Sequence, residues 1–585
     1  MERCTVHVGR LLRSSRCIRS GETALGRSFI SDRCPVRLSS RPRFLTTTAT
    51  IDKVDENSNA TYSVLKSVPK GYKTKEVQED QEAITTSERL DRLAEKIRLD
   101  KIDSSLRTRK LNQVVAAWRP KLKNSQMTPP ELLEKLDSQA PYLVPDVRTY
   151  SMIVDAAIKW AKGSLEGPIF AQHVLERMQN EAEMNPAVSP STFMYGTVIG
   201  AWAKSGVKDA PSRAEALLER MQNLHNVGVH DVTPNTVCFT SVIHAWAKSR
   251  DPMAPHKAEA ILKKMQELYA SGNQNVKPNT VTFNSVISAW ATSRDRIAGE
   301  KAEMILNTMQ ELYESGNGDV KPDTVSFNSV INAWARSNDS AAAERAEMIL
   351  NKMQKLYESG NQNVKPDTLS FSSVINAWAR SSDPIAPQRA ETILNRMQDL
   401  YEAGNPDVKP DTISFSSAIN AWAKCSGRAA AERAETILNR MQELFESGNP
   451  DVKPDTLTFS SVINAWTKSG DPSAVQSIEA LLRRMQQMQE AGNHDVRPNR
   501  IVLTAVISAW ARSGDLHAGG HANWYLEYMK GAEAKGQKDC GPDETTYKRV
   551  ITAWSNSKHP DADREIAALR KEMKILAEKR RNVRN

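Results

Sequence analysis

Tryptophan returns every 44 residues through most of this 585-residue chain: Trp202, Trp246, Trp290, Trp334, Trp378, Trp422, Trp466, Trp510 and Trp554. A fixed period of this length demands stacked supersecondary units, each burying its apolar face on its neighbours, rather than one globular core. Trp118 extends the series upstream irregularly. Trp160 lies three residues late, with Ala157 in its register place, and Trp524 stands outside the ladder.

Residues 324–367 serve as the type unit. Asp323 follows Pro322 and suits an N-cap, where its carboxylate accepts from the free N–H groups of a first helical turn. Phe327, Val330, Ile331 and Trp334 then fall at i, i+3, i+4 and i+7, a single apolar stripe. A break at Ser337–Ser340 precedes a second helix expected from near Ala341 to Ser359, with Ala346, Ile349, Leu350, Met353, Leu356 and Tyr357 at helical spacing. Gly360 supplies a left-handed C-cap, and Lys365-Pro366-Asp367 resets the chain for the next unit. No segment alternates with period two. Units starting near 108, 147, 192, 236, 280, 324, 368, 412, 456, 500 and 544 make the expected architecture an all-α, right-handed superhelical solenoid of about eleven helical hairpins. A further amphipathic helix over 86–105 is expected to cap its N-terminal end.

The net charge of +9 invites a polyanion partner, but residues 1–50 hold ten Arg, no Lys and only three acids. That segment carries a surplus of seven, so the remaining 535 residues carry two of the nine charges. Arg-rich, Ser-rich and almost acid-free, the first 50 residues resemble an organelle presequence, with a mitochondrial matrix address as first choice and a plastid one as second. Residues 51–85 form a polar linker. No apolar run reaches membrane-spanning length. Cys238, Cys425 and Cys540 are far apart, without a C-x-x-C pair, which excludes a disulfide scaffold and a zinc site. Phosphate-binding, nucleophile-elbow and zincin motifs are all missing, so the expectation is a protein with no enzymatic activity and no cofactor.

On a helical wheel Val325, Asn328, Asn332 and Arg336 share the face opposite the apolar stripe. The position of Asn328 reads Gly196, Thr240, Asn284, Asn328, Ser372, Ser416, Ser460, Thr504 and Lys548 along the array. A small polar residue that varies inside a stereotyped unit is what a modular reader of bases needs; drift at an exposed site is the competing explanation. One first-helix position is basic in most units, as Lys204, Lys248, Arg336, Arg380, Lys424, Lys468 and Arg512, broken only by Thr292. Lys277, Lys321, Lys365, Lys409, Lys453 and Arg497 form a second row beside the turn proline. Evenly spaced cations suit a single-stranded phosphate backbone. A solvated rim balanced by acids such as Glu344 and Glu347 is the alternative.

With Phe327-Asn328, Val330-Ile331, Ala333, Ala346, Met353, Gly360 and Pro366-Asp367, the unit resembles the pentatricopeptide repeat over about residues 108–585, though with 44 residues where that family has 35. The resemblance implies that the Asn328 position and the last residue of the same repeat together hydrogen-bond one base. Carried over, the pairs are Thr240/Asn279, Asn284/Asp323, Asn328/Asp367, Ser372/Asp411, Ser416/Asp455, Ser460/Asn499 and Thr504/Asp543. The family's code then implies a core of A-U-U-G-G-A-G. The expected function is that of an organellar, sequence-selective single-stranded RNA-binding protein acting in transcript stabilisation, processing or translation. It is expected to be monomeric, with RNA-processing or ribosomal proteins as further partners. A helical-repeat scaffold for proteins, without RNA specificity, is the rival.

Overall fold

The computed structural model describes residues 85–584 apart from 122–126, 162–163, 230, 294 and 338. The expected presequence and most of the polar linker lie outside them. The described residues form 23 α-helices and four short 3-10 turns, with no strand, all within one compact unit, Glu76–Asn585. None of the helices is long and apolar enough to cross a membrane.

Regular units repeat one hairpin. In the type unit the first helix spans Thr324–Arg336 and the second Ala342–Glu358. Asp323 caps the first, accepting from the Ser326 N–H at 2.8 Å, while the Ser326 hydroxyl accepts from the Asp323 N–H at 3.1 Å. Gly360 takes a φ of +102°, and the following Asn361 N–H reaches back to the Leu356 carbonyl at 3.0 Å, closing the second helix. The predicted stripe is buried, with Phe327, Val330 and Ile331 as fully enclosed as Met353 and Leu350.

Threonine at the first helical position fixes one unit to the next. The Thr324 hydroxyl donates to the Lys365 carbonyl (2.9 Å) and its N–H to the Asn363 carbonyl (2.9 Å). Thr280, Thr368 and Thr412 do the same with Lys321, Lys409 and Lys453. This anchors the turn that launches the next first helix, so successive first helices pack side by side.

The tryptophans wedge between hairpins. Trp378 is 3% exposed and donates its indole N–H to Glu347, on the second helix of the preceding unit, at 2.8 Å. Arg389, from the second helix of the tryptophan's own unit, lies 5.9 Å from the indole centre and pairs with the same carboxylate at 3.2 Å. Lys257, Trp246 and Glu215 repeat this triad. Trp290 departs from it: Lys301 pairs with Glu259, and the Trp290 N–H is left without an acceptor among the described residues. Trp160 is 38% exposed while Ala157 is buried, as the register requires.

The N-terminal end differs from expectation. The helix over 86–105 ends at Arg98, because Asp100 turns left-handed (φ 54°) and Asp103 caps a new helix, Ser104–Trp118, by accepting from the Ser105 N–H at 2.9 Å. The first repeat's helix thus opens at 104, four residues ahead of the register start at 108 that Leu111, Val115 and Trp118 keep.

Trp378→Ala removes the wedge and leaves Glu347 and Arg389 without their ring. The cost should be about 3–5 kcal/mol, typical of an emptied aromatic site. Because units interact only with neighbours, urea denaturation followed by hydrogen exchange should show the segments before and after residue 378 unfolding at separate midpoints.

Candidate nucleic-acid interface

Rows of equivalent side chains run along the face made by successive first helices. The innermost holds the residues expected to read bases, and the structure brings several pairs together across 39 residues of sequence. Asn328 donates from Nδ2 to the Asp367 carboxylate at 3.1 Å, while its Oδ1 accepts from the Ser370 hydroxyl at 2.6 Å. Asn284 makes the same bonds with Asp323 (3.1 Å) and Ser326 (2.6 Å). Thr240 meets the Thr282 hydroxyl, itself bonded to Asn279, and Thr504 meets Thr546, bonded to Asp543.

The serines behave differently. Ser372 stands 3.5 Å from Asp411 but bonds more closely to its own helix at the Thr368 carbonyl, 2.7 Å away. Ser416 and Ser460 turn to the carbonyls of Ile413 and Thr456. Among the described residues, no hydrogen bond links Ser416 to Asp455 or Ser460 to Asn499.

All seven terminal residues of these pairs also cap the following helix: Asn279, Asp323, Asp367, Asp411, Asp455, Asn499 and Asp543 each accept from the N–H three residues on. Asn328 is only 7% exposed and its amide is already engaged, so an incoming base edge must displace the Ser370 and Asp367 bonds. Exchanging one hydrogen bond for another costs little net free energy, whereas leaving a buried amide unpaired costs about 1–3 kcal/mol. Such a site favours a base whose donors and acceptors replace those it displaces.

Two features of this face go beyond the sequence expectations. In the irregular first repeat, Asn112 donates to Asp146 at 3.0 Å and accepts from Thr149 at 2.6 Å, the same triad as at Asn328. Its signal was position: Asn112 stands at the reader's offset from the expected unit start at 108. Second, Phe193, Val237, Val281, Val325, Leu369, Ile413, Leu457 and Ile501 form an apolar row 58–70% exposed, two residues after each cap. Only the repetition of an apolar residue at an outward position betrays it in the sequence.

The two basic rows separate. Lys204, Lys248, Arg336, Arg380, Lys424, Lys468 and Arg512 are all exposed at the last turn of their first helices, and none pairs with a carboxylate among the described residues. Lys468 reaches the Ala423 carbonyl at 3.0 Å, and Arg512 the Thr467 carbonyl at 2.5 Å, so these cations also cap the C-terminus of the preceding unit's first helix. Their mutual proximity is felt. Partial burial, then the charges of Arg380 and Lys468, lowers the Lys424 pKa below that of an ordinary lysine.

The second row is spent internally. Lys277, Lys365, Lys409, Lys453 and Arg497 each grip the acid 42 residues on, at Asp319, Asp407, Asp451, Asp495 and Asp539. Lys277, Lys321, Lys365 and Lys409 also lie over the rings of Tyr269, Tyr313, Tyr357 and Tyr401. In the structure this row forms a set of inter-unit clamps; among its six members only Lys321, with Asn363 at the corresponding position, lacks the acid that completes the pattern.

The histidines and cysteines form no metal site: among the described residues no group of three or more His, Cys, Asp or Glu could hold an ion.

The profile of the pentatricopeptide repeat domain matches residues 222–293 and 268–336. That match spans residues 222–336; from 192 through 543 the units on either side keep the same apolar stripe and 44-residue period, with a side-chain cap on every first helix except the one after Ser191. No curated protein matches the sequence. Among solved structures, the chain is similar to the crystal structure of the pentatricopeptide repeat protein PPR10 from maize, at 16% identity over 87% of this chain and 81% of that one, with a TM-score of 0.24.

Capping and recognition can be separated at one residue. Asp367→Asn keeps an equivalent cap and should change thermal stability by no more than a few tenths of a kcal/mol, whereas Asp367→Ala should cost about 0.5–2 kcal/mol.

Proposed function

We propose that this pentatricopeptide repeat protein binds single-stranded RNA in an organelle and acts by occupying a transcript segment, without chemistry of its own. The observation that carries this reading is the ordering of three rows on one face. Polar pairs that can exchange their hydrogen bonds for a base edge lie beside exposed aliphatic side chains that suit the flat sides of bases, and a row of cations without carboxylate partners follows one helical turn beyond Asn332. The Arg-rich first 50 residues support the organelle address, mitochondrial before plastid. Binding would stabilise the transcript, direct its processing or expose a translation start.

The salt dependence of binding tests the phosphate path. Replacing Lys248, Arg336, Arg380 and Lys468 together by Ala should weaken RNA of any sequence about equally and lower the salt slope by roughly 0.7 for each phosphate left without its cation. Replacing Lys365, Lys409 and Lys453, already paired with acids, should leave the slope unchanged. Unchanged affinity and slope in the first variant would favour the protein-scaffold alternative.

Base selectivity is tested by exchanging a donor set. Asp411 accepts only, whereas Asn both donates and accepts. Asp411→Asn should shift the fourth base of A-U-U-G-G-A-G from G toward A, by about 1 kcal/mol for one base-edge hydrogen bond. A randomised RNA pool selected on both proteins measures this; no enrichment at that position would mean that the 44-residue unit is out of register with the bases.

A further inference from the structure

Between the reader row and the cation row lies a third polar row that neither duty uses. Four consecutive units carry Asn there: Asn332, Asn376, Asn420 and Asn464. Each follows its reader by four residues and precedes its cation by four, so the helix places the rows about 6 Å apart along one face. Asn376, Asn420 and Asn464 are exposed and Asn332 half-buried. None of the four amides makes a hydrogen bond among the described residues.

The units on either side carry no amide at this position. Gly200 has no side chain. Ser508 and Thr552 turn their hydroxyls onto their own helix, at the carbonyls of Thr504 and Lys548. His244 is held below the ordinary histidine pKa by partial burial and then by Lys248 and Lys204, which places this row beside the cations of its own and the preceding unit.

We propose that Asn332, Asn376, Asn420 and Asn464 bind the ribose 2′-hydroxyls of four consecutive nucleotides and so make the array select RNA over DNA. The inference rests on the RNA reading above. Nucleotides present base, sugar and phosphate in that order, and the face presents reader, amide and cation in the same order. A 2′-hydroxyl both donates and accepts, and it distinguishes RNA from DNA at a given site; a carboxamide matches it with two N–H donors and a carbonyl acceptor. The riboses concerned are those of the third to sixth nucleotides, U-G-G-A, whose bases face Asn328, Ser372, Ser416 and Ser460.

The test uses the full chain and its four-site variant, with Asn332, Asn376, Asn420 and Asn464 all changed to Ala. Alanine favours exposed helix positions, and a thermal melt checks that the variant is folded. Binding is measured to an RNA containing A-U-U-G-G-A-G, to the same oligonucleotide with deoxyribose at nucleotides three to six, and to one with deoxyribose at nucleotides one, two and seven. The wild type should bind about tenfold or more weakly after the first deoxy substitution, at roughly 2- to 10-fold per hydrogen bond, and be much less affected by the second. The variant should bind the RNA and the first deoxy oligonucleotide equally. Equal wild-type affinity for those two ligands would overturn the proposal, as would a variant weakened by the same factor on both, since the wild-type amides would then touch bases or phosphates. If the wild type prefers no base sequence, the base-reading assignment fails, and the ribose assignment is still decided by comparing wild type and variant on uniform RNA and DNA strands. A wild type that binds neither strand overturns both.

Discussion

Everything on the first-helix face depends on how one hairpin seats against the next, and the tryptophan wedge sets that seating. The ring of Trp378 fills the space between units, its N–H holds Glu347 across the junction, and Arg389 lies near the ring while pairing with the same carboxylate. Glu347 is only 12% exposed, so its charge needs both donors. The triad recurs with lysine at Trp246, and wherever a junction keeps it the angle between neighbours is constrained by both packing and charge. That constraint lets residues 39 positions apart, such as Asn328 and Asp367, meet at hydrogen-bond distance.

The Asn328–Asp367 pair shows how a capping residue also receives a bond from the preceding unit. Asp367 must cap the next helix, and its position there is fixed by the Ser370 N–H and hydroxyl. Because the cap orients one carboxylate oxygen toward the helix, the Asn328 amide finds a preformed partner. Capping does not discriminate between Asp and Asn, so the identity of the last residue is free to vary with another function. This preorganisation costs the protein nothing beyond the cap it needs anyway.

Charge placement illustrates how neighbours decide the meaning of a residue. Both basic rows repeat with the unit and both contain lysine. One lies beside the loop acids and is neutralised 42 residues on; the other ends a helix where the nearest partners are backbone carbonyls and further cations. Only the second is without carboxylate partners among the described residues.

The sequence by itself determined the period, the two helices of each unit, their caps and their buried stripe, because these follow from local spacing and from chemistry within a few residues. Asp323, Gly360 and the Phe327–Trp334 stripe were all legible in this way. It also marked the position proposed to read bases, through variation between otherwise identical units. Several things were decided by tertiary structure alone. These were the separation of the basic rows, the bonds that complete the triad at Asn112, the break at Asp100 that starts the first repeat's helix at 104, and the idle amides of Asn332 and its counterparts. Each depends on packing between units or on a backbone turn that no periodic pattern encodes. A residue's spacing fixes which face it occupies, but only the packed neighbour fixes whether its hydrogen bonds and charge are already used.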